Sequence, residues 1–293
     1  MPGEASALIA ALLWAVSSIL LTSQARRIDP LSMSALRALS AGLLLALLAL
    51  TVGFDQLGDL RPGSALAMVG SGVLGMGLGD TLYITSLGLI GVSRAFPISM
   101  ATYPLLTYLL AAAFLDEGLR WAVLLGAVLI VVGVSAVAME GGGGANPGRT
   151  APEGRRRGTA LVLIAAVVWA LATLWLRAGS EDIGAIAAGS LRMPAAGLFL
   201  LGLAFLRHRR LPTRGVSVRS VATVALAGTL GTGLGGLLYI AAVQEAGAGK
   251  AAILSSTSPL FVLPMAMLFL AERVSPRLLA GVLVSVVGIW LVV

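Results

Sequence analysis

The chain has 293 residues, of which 58% are apolar and only 11% are charged, and its mean hydropathy is +0.98. Because soluble globular domains carry about a quarter charged residues, this composition excludes an ordinary water-soluble fold. The net charge of +7 comes from basic residues that lie between apolar runs, which indicates membrane topology rather than nucleic-acid binding, and the absence of cysteine excludes disulfides and thiolate metal sites.

Ten apolar runs follow one another along the chain, and each is close to the length of about 20 residues that a helix needs to cross a bilayer. The first run lacks the basic flank of a signal peptide, since its early charge is Glu4, and is therefore interpreted as a spanning helix. The sequence thus predicts an all-α membrane protein with ten transmembrane helices. The predicted helices are Glu4–Thr22, Ser32–Gly53, Ser64–Gly88, Val92–Leu115, Trp121–Met139, Thr159–Arg177, Gly184–Leu206, Ser220–Gln244, Gly249–Leu270 and Pro276–Val293.

The longest polar segment covers residues 141–158. Its glycine run Gly141–Gly144, its two prolines and the basic run Arg155–Arg157 predict a flexible basic linker. The linker divides the chain into two domains of similar size, residues 1–140 and residues 159–293, each with five predicted helices.

The two halves carry the same residues in the same order. Because each half holds five predicted helices, an odd number, the second half is expected to be inverted relative to the first. Inverted repeats with a site near the middle of the membrane are a recurring design of secondary transporters. The matched pairs include Trp14 with Trp169, Leu36-Arg37 with Leu191-Arg192, Gly42 with Gly197, Pro104 with Pro259, and Glu117 with Glu272.

A glycine-rich stretch in the third predicted helix, Gly75–Tyr83, is nearly repeated in the eighth as Gly231–Tyr239. Glycines four residues apart let neighbouring membrane helices approach closely, so helix packing is the favoured interpretation of both stretches. The two copies differ at one ionisable position, since Asp80 in the first corresponds to Gly236 in the second.

These residues resemble the drug/metabolite transporter superfamily, in its ten-helix EamA-like branch. The resemblance covers nearly the whole chain and implies a multi-pass carrier, commonly an exporter of amino acids or other small metabolites, with a central cavity between the repeats and the fifth and tenth helices at the periphery. One departure is Ala101, where the family pattern has a serine. The motifs that carry the resemblance are the two Trp and two Leu-Arg positions, Gly77 to Tyr83, Gly233 to Tyr239, Ser256–Leu260, Phe269–Glu272, Pro104-Leu105 and Phe114–Glu117.

Two kinds of residue are candidates for the substrate cavity. Tryptophans near the middle of a membrane helix, away from the interfacial belt, line a cavity or pack between helices, and tyrosines within the helices have the same two interpretations. Prolines inside the fourth and ninth helices remove backbone donors, which is tolerated where the helix lines a cavity or is buried in protein. The candidates are Trp14, Trp169, Tyr83, Tyr239, Tyr103, Pro104 and Pro259.

Charged residues near helix ends are candidates for gates. The predicted topology brings Arg37, Arg94 and Glu272 to one face, and Arg192, Lys250 and Glu117 to the other, which holds the N-terminus. Each half would thus send an acid to the face where the other half sends its bases, and ion pairs between the repeats could form and break alternately. Snorkelling of the bases and simple capping of helix ends by the acids are the alternatives.

Asp80 is the acid predicted to lie well inside an apolar helix, and intramembrane ionisable residues are functional hypotheses by default. Burial favours the neutral form of a carboxylate, which would suit a proton carrier. The alternatives are an anchor for a cationic substrate and a structural acid paired with Arg94.

The sequence as a whole predicts a secondary transporter, with export as the expected direction, that moves a small polar metabolite such as an amino acid by alternating access. The alternative is a non-transporting multi-pass membrane protein with a structural or signalling partner. No nucleotide-binding loop, zinc-protease motif or catalytic constellation is present, so neither an enzyme nor a cofactor nor a metal site is expected. The expected partners are a small-molecule substrate, H⁺ as a candidate coupling ion and the lipid bilayer, with the chain a monomer or weak homodimer.

The expected location is a bacterial inner membrane, and the basic residues predict the orientation. Arg61, Arg120, Arg177 and Lys250 lie near the face that holds the N-terminus, whereas the other loop arginines, including Arg155–Arg157, lie at the opposite face. The positive-inside rule therefore predicts that both termini face outward. The resemblance implies the reverse, since members of that superfamily usually have cytoplasmic termini.

Overall fold

A computed structural model describes residues 2–24, 27–54, 60–90, 92–141, 152–208, 215–258, 260–261 and 276–293, and every regular element within them is helical. In the first half these are α1 (Gly3–Thr22), α2 (Pro30–Thr51), α3 (Pro62–Gly72, Val73–Gly79 and Asp80–Ile90 in one continuous rod), α4 (Val92–Phe114) and α5 (Trp121–Gly141). In the second half they are α6 (Pro152–Gly179), α7 (Ala185–His208), α8 (Val218–Ala227, Gly228–Gly235 and Gly236–Ala246 in one rod), α9 (Ala248–Ser255) and α10 (Pro276–Val292).

Six of the described helices, α1, α2, α3, α6, α7 and α8, are long and apolar enough to cross a membrane, and α4, α5 and α10 contain shorter apolar stretches. The predicted all-helical membrane architecture is confirmed in these ranges. The number of ten spanning helices stays a prediction, since six described helices are long enough to span and residues 262–270 of the predicted ninth lie outside the described residues.

Local sequence signals account for where several helices begin. Asp29 precedes α2, its carboxylate accepts the backbone N–H of Ser32 at 3.1 Å, and Pro30 takes the first helical position. Pro152 likewise opens α6, with Glu153 in the first turn, where an acid favours the helix dipole. The helix therefore includes Pro152–Gly158, which the sequence assigned to the linker, and the predicted start at Thr159 was too late.

Contacts at one end of the bundle show that the two halves run in opposite directions. Lys250 in α9 pairs with Glu4 in α1 at 3.2 Å, and Glu117, just after α4, accepts a backbone N–H from the first turn of α9 at 2.6 Å. The amide of Gln244, near the end of α8, donates to the carbonyl oxygen of Ser180, just after α6, at 3.0 Å. This end, called the first face below, is thus where α1 begins and its counterpart α6 ends.

The helices bury small residues and expose large apolar ones, as expected where lipid rather than water surrounds the protein. In α2 the buried face holds Ala35, Ala38 and Ala41, whereas Leu43 and Leu50 on the outer face are 64% and 61% exposed. Membrane helices associate through small residues because close backbone approach replaces a hydrophobic driving force.

The counterparts α2 and α7 pack against each other at matched glycines. A methyl group on Gly42 would lie 3.0 Å from the backbone nitrogen of Pro194, and one on Gly197 would lie 3.0 Å from the backbone nitrogen of Leu39. The contact is therefore nearly the same when viewed from either repeat, which places the pseudo-two-fold relation of the repeats between these two helices.

Both glycine-rich stretches form π-helical segments inside longer helices, Val73–Gly79 in α3 and Gly228–Gly235 in α8. A π-helical turn widens the backbone and displaces carbonyl oxygens from the ordinary helical ladder, and such turns are frequent at functional sites. Nothing in the sequence analysis predicted them. They occupy the middle of the bundle, where the repeats meet.

The helices α5 and α10 pack closely against each other. A methyl group on Gly126 would lie 2.6 Å from the carbonyl oxygen of Gly288, and one on Gly133 would collide with Ser285 and the carbonyl oxygen of Gly281. Neither helix contributes a side chain to the central cavity described next. The peripheral position that the resemblance implied for them agrees with this arrangement.

Candidate functional site

A cavity of about 290 Å³ lies between the two repeats. Most of its lining residues are counterparts of one another, so the cavity shares the pseudo-two-fold relation of the helices. The matched lining pairs are Trp14 with Trp169, Ser17 with Ala172, Ser18 with Thr173, Arg37 with Arg192, Gly75 with Gly231, Met76 with Thr232, and Asp80 with Gly236; Tyr103, Met193 and Tyr239 complete the lining.

The two tryptophans cross between the repeats. The indole N–H of Trp14 in α1 donates to the carbonyl oxygen of Gly231 in the second repeat at 3.0 Å. The indole N–H of Trp169 in α6 donates to the carbonyl oxygen of Gly75 in the first repeat at 3.1 Å. Both acceptors belong to π-helical segments, so a carbonyl oxygen of each segment accepts the half-buried indole of the other repeat in addition to a backbone N–H of its own helix.

Each tryptophan also packs against a tyrosine of the opposite repeat. The ring centroids of Trp14 and Tyr239 are 5.4 Å apart, and those of Tyr83 and Trp169 are 5.2 Å apart, both within the range of favourable aromatic pairs. Tyr239 lines the cavity, whereas Tyr83 lies behind Trp169 and does not. The two counterparts therefore differ in position, although both were predicted as cavity residues on the same grounds.

Three hydroxyl groups form a cluster that joins both repeats. Tyr103 and Tyr239 lie 2.7 Å apart at their hydroxyl oxygens, and the Thr173 hydroxyl lies 3.2 Å from Tyr103 and 3.3 Å from Tyr239. Each hydroxyl can both donate and accept, so the three satisfy one another while leaving lone pairs available to a ligand in the cavity.

Asp80 forms an ion pair inside the cavity. Its Oδ2 atom lies 3.2 Å from a guanidinium nitrogen of Arg37, and its Oδ1 atom accepts the indole N–H of Trp169 at 3.0 Å. From the sequence, Arg94 was a candidate partner of Asp80, and Glu272 at the membrane face was a candidate partner of Arg37. The structure instead brings Arg37 and Asp80 together, because Arg37 in α2 and Asp80 in α3 both point into the space between the repeats.

Arg192, the counterpart of Arg37, also lies in the cavity and is only 6% exposed. Within the described part of the chain its Nε atom has no hydrogen-bond partner. The sequence placed Arg192 near the first face as a partner of Glu117. The backbone of Arg192 packs directly against Gly72 of α3, which holds the residue at the level of the cavity.

Glu117 and Lys250 lie at the first face but do not pair with each other. The carboxylate of Glu117 accepts the backbone N–H groups of Ala248 and Gly249 at 2.6 and 3.1 Å, so it caps α9, which was the alternative that the sequence left open. Lys250 pairs with Glu4 instead. Both contacts join the first repeat to the second, as the predicted gate would.

The remaining predicted residues contribute less. Pro104 is buried in α4 and is not among the cavity-lining residues. Arg94 belongs to α4, and its side chain lies outside what the structure describes. Pro259 and Glu272 lie outside the described residues, so the gate expected at the opposite face stays a prediction.

Several lining residues were missed in the sequence analysis although a signal for them exists. Ser17 and Ser18 follow Trp14 at three and four residues, and Ala172 and Thr173 follow Trp169 at the same spacing. Residues at these spacings share one face of a helix, so the position of each tryptophan predicts its polar neighbours.

The arrangement suits reversible binding of a small amphipathic molecule. Aromatic and thioether side chains form most of the wall, and hydroxyls and two guanidinium groups supply directional contacts, as in typical small-molecule sites. Among the described residues, no group of three or more His, Cys, Asp or Glu side chains could hold a metal ion.

Residues 1–139 and 156–293 each match the EamA-like transporter family. The chain belongs to the EamA-like transporter family. The resemblance to the drug/metabolite transporter superfamily is thereby confirmed, and the two matches fall on the two halves whose inversion the contacts show. An EamA-like transporter with these apolar helices is a multi-pass membrane protein.

Two relatives and one solved structure are similar to this chain over more than half of its length. It is 29% identical over 284 residues to an uncharacterized transporter of Archaeoglobus fulgidus, covering 97% of this chain and 95% of that one. It is 31% identical over 186 residues to an uncharacterized protein of Pseudomonas aeruginosa, covering 64% of this chain and 60% of that one. A crystal structure has the same fold, with a TM-score of 0.81 at 19% identity, covering 99% of this chain and 96% of that one.

Proposed function

We propose that this EamA-like transporter is a secondary transporter that moves a small polar metabolite, such as an amino acid, by alternating access. The cavity between the repeats is the observation that carries the proposal. Its size of about 290 Å³ suits a small metabolite, and both repeats supply its aromatic, hydroxyl and charged groups. The relative from Archaeoglobus fulgidus that carries the name of a transporter covers nearly the whole chain and supports transport as the activity.

Alternating access is supported by the contacts at the first face. The capping of α9 by Glu117 and the pair between Glu4 and Lys250 tie one repeat to the other, so both must break if the cavity is to open there. Because the repeats are inverted, exchanging their conformations would open the opposite face by the same movement. We take a monomer or a weak homodimer as the transport unit.

The direction and the coupling ion belong to the same proposal. We take the protein to export its substrate across a bacterial inner membrane, as the family resemblance implies. Asp80 is the candidate for proton coupling because it is the acid that lines the cavity, and a proton on its carboxylate would weaken the pair with Arg37. Arg37 would then be released when Asp80 is protonated and bound again when the proton leaves.

The experiment that tests the proposal is a flux measurement on purified protein in liposomes. Liposomes that contain an excess of one unlabelled amino acid are given the labelled form outside, and counterflow accumulation is followed for a panel of amino acids. A variant with Glu4→Cys and Lys250→Cys should lose flux when a short thiol cross-linker is added, because the first face can no longer open. The two single-cysteine variants, treated identically, should keep it. Flux that survives a complete cross-link would reject alternating access.

A further inference from the structure

We propose that the substrate of this transporter carries a carboxylate and that Arg192 binds it; this deepens the proposed function and depends on it. The inference starts from the charges that line the cavity. Among the described lining residues there are two bases, Arg37 and Arg192, and a single acid, Asp80. The cavity therefore holds one positive charge more than it can neutralise by itself.

Asp80 attracts both described bases, but it contacts Arg37 and not Arg192. Asp80 lies 3.2 Å from Arg37 and forms its ion pair there. Arg192 is the counterpart of Arg37 in the second repeat, and the position that corresponds to Asp80 is occupied by Gly236. The second repeat thus keeps the base of this pair and lacks the acid, and the end of the Met193 side chain lies beside Gly236.

A buried guanidinium without an anion is costly, and arginine cannot escape the cost by losing its proton. Arg192 is 6% exposed. Within the described part of the chain the Nε atoms of Arg37 and Arg192 both lack a hydrogen-bond partner, but Arg37 has the carboxylate of Asp80 at 3.2 Å, whereas no described acid lies within 4 Å of the Arg192 guanidinium. The close packing of Gly72 against its backbone restricts retreat of the residue toward the membrane surface. A ligand that brings an oxyanion to this position would supply the missing partner, and a carboxylate matches the planar fork of a guanidinium.

The surroundings of Arg192 fit the rest of such a molecule. The hydroxyls of Tyr103 and Tyr239 line the same cavity. The flexible side chains of Met193 and Met76 form an apolar part of its wall that can adjust to a ligand. With about 290 Å³ available, the cavity accommodates a small carboxylate with an apolar or aromatic body. The aromatic faces of Trp14 and Trp169 can also attract an ammonium group, so an amino acid satisfies both parts of the site.

The repeat symmetry offers a direct test through Gly236→Asp. This substitution rebuilds in the second repeat the acid that Asp80 provides in the first, so the introduced carboxylate should pair with Arg192 and compete with the substrate. Space for it exists, since a methyl group on Gly236 meets only the flexible end of Met193, at 3.1 Å. The matched control is Gly236→Asn, which has the same size and no charge.

Binding is measured on the purified protein in detergent with matched probes: phenylalanine and leucine, their carboxamides, their decarboxylated amines, and sodium chloride alone. We expect the amino acids to bind at least about tenfold more tightly than the carboxamides and amines, as loss of a charged hydrogen bond implies. Gly236→Asp and Arg192→Gln should remove this preference. Gly236→Asn fills the same part of the cavity without a charge, so it should weaken the binding of acids and carboxamides alike and keep the ratio between them. Thermal unfolding and size-exclusion profiles identify any variant that fails to fold, and either of the two charge variants suffices for the comparison.

Three results would overturn the inference. They are equal binding of acids and carboxamides, failure of every carboxylate to bind, and displacement of the amino acids by chloride at equal concentration, which would assign Arg192 to an inorganic anion. The binding measurement requires no flux. Carboxylate binding without counterflow would therefore reject the proposed transport alone, and counterflow of a solute that has no carboxylate would reject this inference alone.

Discussion

The indole N–H of Trp14 donates to the carbonyl oxygen of Gly231 at 3.0 Å and so joins the first repeat to the π-helical segment of the second. Trp169 makes the same bond in reverse to Gly75. Each bond gives a half-buried indole N–H an acceptor in the opposite repeat. The two carbonyl oxygens also accept a backbone N–H within their own helix, from Gly236 for Gly231 and from Asp80 for Gly75. The pair of bonds explains why glycine-rich π-segments and tryptophans occur together in both repeats.

We predict that Trp14→Phe destabilises the protein by about 0.5–1.5 kcal/mol, because one hydrogen bond between the repeats is lost while most of the aromatic bulk remains. The carbonyl oxygen of Gly231 keeps the backbone N–H of Gly236, so it is not left without a donor. The measurement is denaturant unfolding of the purified protein in detergent. The control is Trp290→Phe in α10, whose side chain is 78% exposed and lies outside the cavity. Equal effects of the two substitutions would show that the bond to Gly231 contributes nothing measurable.

Gly79 provides a second prediction, because it makes room for Trp169. A methyl group on Gly79 would lie 2.5 Å from the Cδ1 and Nε1 atoms of that indole, so Gly79→Ala should displace the ring and disturb its bond to Asp80. We expect a loss of about 1–3 kcal/mol of stability, as for other overpacked sites, and reduced flux.

The control for Gly79→Ala is Gly63→Ala, near the start of the same helix α3. A methyl group on Gly63 meets no atom within 4 Å, so this substitution should leave stability unchanged or raise it slightly through better helix propensity. Tryptophan fluorescence and thermal unfolding are compared for both variants. Unchanged fluorescence and stability in Gly79→Ala would show that the indole of Trp169 can shift away from residue 79 at no measurable cost.

The helices and much of the cavity could be predicted because the sequence repeats itself. Apolar runs predicted the described helices, although α6 begins at Pro152 rather than at Thr159. Matching the halves drew attention to Trp14, Trp169, Arg37, Arg192 and Asp80, all of which line the cavity. Not every matched residue lies in the cavity, since Glu117, the counterpart of Glu272, caps α9 at the first face.

The pairing of these residues could not be predicted, since pairing depends on side-chain reach and helix rotation. The charge pattern suggested partners at the membrane faces, whereas Arg37 reaches Asp80 in the middle of the protein. The π-helical segments could not be predicted either, because closely spaced glycines are compatible both with a packed α-helix and with a π-helical turn. Tyr83 and Tyr239 also could not be told apart from the sequence. They are counterparts in the two repeats, yet Tyr239 lines the cavity and Tyr83 does not.

The cap on α9 gives a third prediction. Glu117→Gln keeps an acceptor oxygen but removes the negative charge that favours a helix N-terminus, so the first turn of α9 should open more often. We expect faster hydrogen exchange at the amides of Ala248 and Gly249. The neighbouring exposed acid offers the control Asp116→Asn, which should leave exchange unchanged. Identical exchange in Glu117→Gln would mean that packing alone holds the first face together.

The basic residues give a fourth prediction, about orientation. Arg120 and Glu153 are exposed positions at the first face and the opposite face, and the chain has no cysteine of its own to interfere with labelling. A membrane-impermeant maleimide added to intact cells should label Arg120→Cys and spare Glu153→Cys, because the arginine-rich face stays in the cytoplasm. The reverse labelling pattern would show that both termini are cytoplasmic, as is usual in the superfamily, and that the predicted orientation is wrong.

The last prediction concerns Asp80 and the proton. If Asp80 couples transport to H⁺ by binding and releasing Arg37, then Asp80→Asn fixes the site in its neutral form. Substrate-driven proton movement across the liposome membrane should then disappear, whereas counterflow exchange of substrate, which needs no net proton transfer, should survive. The double variant Arg37→Gln, Asp80→Asn should lose less stability than the sum of the two single variants, because each single substitution already removes the same ion pair. Proton movement that persists in Asp80→Asn would assign coupling elsewhere and leave Asp80 as the structural partner of Arg37.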